Sequence, residues 1–127
     1  MSESPGHDYL RSHQITGEVL RLDIEQESRA ILEAARSAGT GHAAKTLVKD
    51  GPLRVVILGF TAGSALREHD SDGPVSIQAL SGEVDVAIEE RTERLEPGKT
   101  LIINATVPHS VSADAEAVLL LTIARPS

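Results

Sequence analysis

Two histidines, His69 and His109, are the residues of this sequence best placed to do chemistry. A neutral imidazole can ligate a divalent metal, move a proton near neutral pH, or hydrogen-bond a polar ligand. Each of the two sits where a run of alternating residues meets a turn. Each also follows a glycine: Gly63 precedes His69 by six positions, and Gly98 precedes His109 by eleven. Arg67 shares the parity of His69 in an extended strand. That would turn toward the same ligand a guanidinium, which matches a carboxylate well. Ser71 adds a hydroxyl two positions beyond His69. Glu68 and Asp70 fall on the opposite parity and Asp72 falls in a turn, so these three read as solvated carboxylates. Of the other histidines, His7 and His13 lie in a polar N-terminal stretch. His42 lies in a Gly-rich turn ahead of the first strand, which is a structural position.

Other chemistries lack their residues. Cysteine is absent, which excludes disulfides, thiolate metal sites and cysteine nucleophiles together. There is no G-x-S-x-G elbow, phosphate loop or dinucleotide fingerprint. The net charge of −7 repels a phosphate backbone, and Tyr9 and Phe60 are too few aromatics to stack bases. No stretch approaches the roughly 20 apolar residues of a membrane helix. The polar start, 1–8, has no apolar run after it of the signal-peptide kind. The expectation is a cytoplasmic protein that binds neither nucleic acid nor membrane.

The elements that must position the histidines are mostly strands. One helix is expected over 24–38. Asp23 is a good N-cap, with Gln26 at the capping-box spacing. Ile24, Ile31, Leu32 and Ala35 form one apolar stripe, narrow enough to lie on a sheet or a partner subunit. Glu25 and Arg29 pair along the helix, and Gly39 is expected as its left-handed stop. From residue 43 the period becomes two. Strands are expected at 44–49, 53–60, 65–69, 74–80, 83–89, 92–96, 100–104, 108–113 and 116–125. In 83–89, Val84, Val86 and Ile88 face one way, while Glu83, Asp85 and Glu89 face the other. Turn dipeptides at Asp50-Gly51, Asp72-Gly73, Ser81-Gly82 and Pro97-Gly98 separate the runs. So many short strands argue for a sandwich or a barrel.

The glycine–histidine frame resembles the cupin superfamily over about residues 43–125. Gly63, His69 and Gly82 in GSALREHDSDGPVSIQALSG stand at the places of the first cupin motif. Gly98 and His109 in GKTLIINATVPHSVSA stand at those of the second. The phrases EHDSDGPVSIQALSGEV and VPHSVSADAEAVLLLTIA look like a subgroup of small bacterial cupins of undefined function, in which the second histidine is generally absent too. The resemblance implies an all-β fold, a cupin-type β-barrel (double-stranded β-helix or jelly roll) with one N-terminal helix packed outside. Residues 1–14, polar and without periodicity, read as a disordered tail, followed by a helical segment at 15–42 and the barrel at 43–127. A typical cupin metal is held by three histidines and a glutamate. Here Ser71 takes the place of the second histidine and Val75 that of the glutamate. Asn104, Thr106 and Ala113 replace a proline, a glycine and an asparagine of the second motif. Gln78 could supply an amide oxygen, but alternation sets it on the face opposite Val75.

Three functions follow as expectations. The first is a barrel pocket binding a small organic, anionic or sugar-like ligand through His69, His109, Arg67 and Ser71. The second is an isomerase- or oxygenase-like enzyme in which His69 and His109 hold a weakly bound divalent metal. The third is a dimeric scaffold without catalysis. Small cupins often pair or exchange a first strand such as 43–49, so the resemblance also implies a homodimer.

Overall fold

A computed structural model describes residues 19–69 and 72–126, with His69 described by its backbone. The proposed tail at 1–14, with His7 and His13, and the candidate Ser71 lie outside the described residues. The chain forms one helix, α1 (Ile24–Ser37), then nine strands. These are β1 (His42–Asp50), β2 (Leu53–Phe60), β3 (Ala65–His69), β4 (Val75–Ser81), β5 (Val84–Ile88), β6 (Arg91–Leu95), β7 (Thr100–Ile103), β8 (His109–Ser112) and β9 (Ala117–Ala124). All pairings are antiparallel, in a five-stranded sheet of order β1-β2-β9-β4-β7 and a four-stranded sheet of order β3-β8-β5-β6. The insertion of β9 between β2 and β4, and of β8 between β3 and β5, is the wrapping of a jelly roll. The fold is a cupin-type barrel with an outer N-terminal helix.

Alternation along the strands builds the core between the sheets. Val75, Ile77 and Ala79 of β4 are buried in it, as are Val84 and Val86 of β5 and Leu119 and Leu121 of β9. Phe60 is fully buried there, and aliphatic side chains fill most of the remaining space. The other face of the larger sheet carries a second cluster under α1, made by Ile31, Leu47, Val48, Ile57 and Val118. Burying Ile31 contributes roughly 1.5–3 kcal/mol. The helix comes this close because Gly59 of β2 has no side chain; a Cβ there would stand 2.8 Å from the Ile31 carbonyl oxygen.

The helix begins as its sequence predicts, with the Asp23 carboxylate accepting from the Gln26 amide at 3.1 Å. Its end differs. Gly39 is not the left-handed residue; Ala38 caps the helix in extended conformation, its amide donating to Ala35 O. The left-handed turn comes at Gly41, φ 81°, directly before β1. His42 accordingly belongs to β1 rather than to the turn preceding it.

Three glycines of the motif frame share one backbone requirement: Gly63, Gly82 and Gly98 have φ of 81°, 68° and 85°. At Gly82 a side chain would also collide with the Glu116 carbonyl oxygen. Thr106 adopts φ 67° without being glycine. Among the described residues, no helix is long and apolar enough to cross a membrane.

Candidate functional site

The ends of β3, β5 and β7 and the starts of β4, β6 and β8 meet at one end of the barrel. Backbone register sets His69 opposite His109, His109 opposite Ile88, and Ile88 opposite Arg91. The two histidines are therefore cross-strand neighbours, although forty residues separate them in sequence. Directly opposed positions in an antiparallel pair have Cβ atoms about 4.5–5.5 Å apart.

His109 is only 2% exposed and, with Ser64, is one of the buried polar residues described. Its inward course follows from β8, where His109, Val111 and then Ala113 are buried while Ser112 is exposed. The ring is held from its own loop: Nδ1 lies 3.1 Å from the Val107 carbonyl oxygen. A carbonyl can only accept, so the Nδ1 proton is donated to it. In the neutral ring the lone pair then sits on Nε2, the tautomer a ligand or metal would meet. Thr106 turns that loop, and the Val107 amide donates to Asn104 O at 3.4 Å.

The register shifts on β3 between Leu66 and His69. Leu66 faces Val111 and His69 faces His109, so three steps on β3 match two on β8. This bulge breaks the alternation that grouped Arg67 with His69. Leu66 packs on the core, and Arg67 is exposed. Arg67 instead lines a cleft of about 550 Å³ with Thr40, His42, Ala65, Leu66 and Glu68. His42, at the start of the edge strand β1, leans on Phe60 with ring centres 6.1 Å apart. Sequence reasoning missed this grouping, because nothing local in the sequence brings β1 beside β3.

Val75 is 2% exposed in the core and presents methyl groups where the family pattern has a carboxylate. Ala113, in the place of the motif asparagine, is likewise buried. Gln78 pairs with Thr100 and Leu120 between the buried positions Ile77 and Ala79, on the face away from the core. No group of three or more metal-binding side chains occurs among the described residues. Two imidazoles by themselves fall short of the three or four protein ligands that hold a divalent ion firmly. Hydrogen bonds from Arg36 hold the Glu116 carboxyl below its usual range, and Arg94 is held protonated by Asp85 and Glu83.

The same architecture recurs among solved structures. A conserved protein of unknown function from Streptococcus pyogenes superposes with a TM-score of 0.69 at 23% identity, over 94% of this chain and 96% of that one. An RmlC-like cupin from Shewanella frigidimarina gives 0.65 at 19%, over 71% and 81%. A salicylate 1,2-dioxygenase from Pseudaminobacter salicylatoxidans gives 0.69 at 20%; 78% of this chain matches 33% of that larger one. At these identities the likeness is one of fold, and the fold is that of the cupins. No family model matches the sequence, and no curated protein does.

Proposed function

We propose that the barrel mouth at the β3–β8 end binds a small organic ligand, anionic or sugar-like, with His69 and His109 as its polar contacts. The observation that carries this reading is the pairing of the two histidines across β3 and β8, with the His109 ring buried and oriented by Val107 O. Burying an imidazole costs free energy unless its polar atoms are engaged, and the Val107 carbonyl engages Nδ1. Ile88, directly opposite His109 on β5 and packed against the core, supplies apolar surface beside the pair. Aliphatic walls with a few oriented polar groups are what small-molecule sites are made of. Arg67 is not needed for this reading; it lines the cleft with Thr40 and His42.

The test is a titration of the full chain with single organic acids and monosaccharides, following the His69 and His109 ring resonances. A saturable shift that weakens about tenfold in His69→Gln supports the reading. A panel that leaves both rings unmoved sinks it. Catalysis through a resident metal is the competing reading, favoured by the same pairing of imidazoles. Elemental analysis of protein purified without a metal-affinity tag separates the two. The binding reading predicts less than about a tenth of an equivalent of divalent metal, because two imidazoles make a weak site.

A further inference from the structure

The cleft between β1 and β3 is separate from the His69–His109 pairing in its described lining, and its histidine carries an unexplained feature. His42 Nδ1 is shielded from solvent and is the buried side-chain nitrogen or oxygen that finds no hydrogen-bond partner among the described residues. The His42 ring as a whole is only half-buried, so the edge left open is the one that carries Nε2. An unpaired buried acceptor is tolerated better than an unpaired buried N–H. The neutral ring therefore keeps its proton on Nε2 and presents a donor to the cleft.

Around that donor the cleft offers a defined chemistry. Arg67 adds a guanidinium, Thr40 stands at the turn before β1, and Ala65 and Leu66 give an apolar floor. The Thr40 hydroxyl is already committed to the backbone of His42. Glu68 lines the same cleft and opposes a negative charge. The volume, about 550 Å³, lies inside the range of small-molecule sites.

We infer that the cleft between β1 and β3 is a second ligand site, which binds a small organic carboxylate between the His42 Nε2–H and the Arg67 guanidinium. One carboxylate oxygen accepts from His42, and the guanidinium takes the other through charge-assisted bonds. The ring that makes the first contact lies against Phe60, tilted by 33° at 6.1 Å between ring centres. This site does not depend on the mouth, and either can fail without the other.

The experiment uses the full chain and succinate as probe, read by histidine ring ¹⁵N and ¹H shifts at neutral pH. In the free protein the His42 Nδ1 should have the shift of a bare, unprotonated nitrogen. Succinate should then shift the His42 ring saturably at millimolar concentration. Arg67→Gln should weaken binding about tenfold, the loss of one charge-assisted contact. Glu68→Gln should tighten it, since a repulsive charge is removed. His42→Phe keeps the contact with Phe60 and should abolish binding, while His69→Gln should leave it unchanged. Arg67 and Glu68 are exposed, and thermal unfolding of each variant beside wild type checks that the fold is kept. A protonated Nδ1, an unmoved His42 ring, or equal affinity in Arg67→Gln overturns the proposal.

Discussion

At the scale of single residues, Thr106 holds a left-handed backbone that glycine would adopt at less cost. The second-motif glycine is gone, yet φ at this position is 67°. A left-handed residue with a Cβ costs roughly 1–2 kcal/mol. Glycine would remove that cost but add unfolded-chain entropy, about 0.5–1 kcal/mol. The first term wins, and more clearly for a β-branched side chain. Thr106→Gly should therefore stabilise the protein by about 0.5–1 kcal/mol in urea unfolding, whereas Thr106→Val should bring no gain. A destabilised glycine variant would mean the loop is not held in this conformation. The two candidate histidines were legible as types and as positions beside turns. Their pairing needed the motif resemblance, since no spacing rule brings residues of β3 and β8 together. The His109 contact to Val107 O was not legible, because it depends on how loop 104–108 turns.

At the scale of elements, glycine at a packing surface and glycine in a turn have opposite consequences. Gly59 lies under α1, and a Cβ there would press on the Ile31 carbonyl oxygen at 2.8 Å. Backbone cannot yield as a side-chain tip can, so Gly59→Ala should destabilise by about 1–3 kcal/mol. Gly39 has open space around its Cα and no left-handed φ, so Gly39→Ala should be neutral or slightly stabilising. Paired urea curves check both, and equal effects would contradict the helix placement. The helix is also tied at its C-terminal end, where Arg36 donates from Nε and Nη2 to both Glu116 oxygens at 2.7 Å. Glu116 is held below its usual carboxyl range by this hydrogen bonding, which outweighs an opposing desolvation effect, while the Arg36 charge adds a lesser lowering. A depressed folded pKa gives stability that is present above the unfolded value and lost as pH falls through the folded one. Wild type should thus exceed Glu116→Gln in stability at neutral pH and converge with it in acid, read by thermal unfolding across pH. A gap that persists below the carboxyl range would rule out this linkage. The nine strands were legible from short apolar and alternating runs, with turn dipeptides marking four of the breaks between them. The bulge on β3 was not, since register is a property of a strand pair and counting by twos does not carry across a bulge. The helix stop was misread at Gly39 for a related reason: the contacts that demand a glycine, 2.7 Å from a Gly41 Cβ to Thr61 Oγ1, come from the far end of β2.

At the scale of the whole molecule, the two sheets have four edges, and their lengths differ. β1 spans nine residues at the rim of the larger sheet, and among the described residues it pairs only with β2. β7, at the opposite rim, has four residues and carries Ile102, which is 71% exposed. An unpaired edge of nine residues, about 30 Å long, is a template for another strand unless something covers it. Helix α1 covers one face of β1, and Lys45 on β1 pairs with Glu27 on α1 at 3.1 Å, which fixes the strand without closing its edge. We propose that a second copy of the chain covers it across a two-fold axis, β1 against β1. A two-fold contact is self-complementary, so one strand type suffices to close the assembly without leaving an edge to propagate. The pairing would also place two His42–Arg67 clefts near the interface, since His42 begins the same strand. Sedimentation at micromolar concentration should give a dimer. Hydrogen exchange should show β1 amides protected more strongly than those of β7, with protection that falls on dilution. A monomer whose β1 amides exchange as fast as a solvent-exposed edge would refute the pairing, and would leave the barrel and both candidate sites intact within one chain.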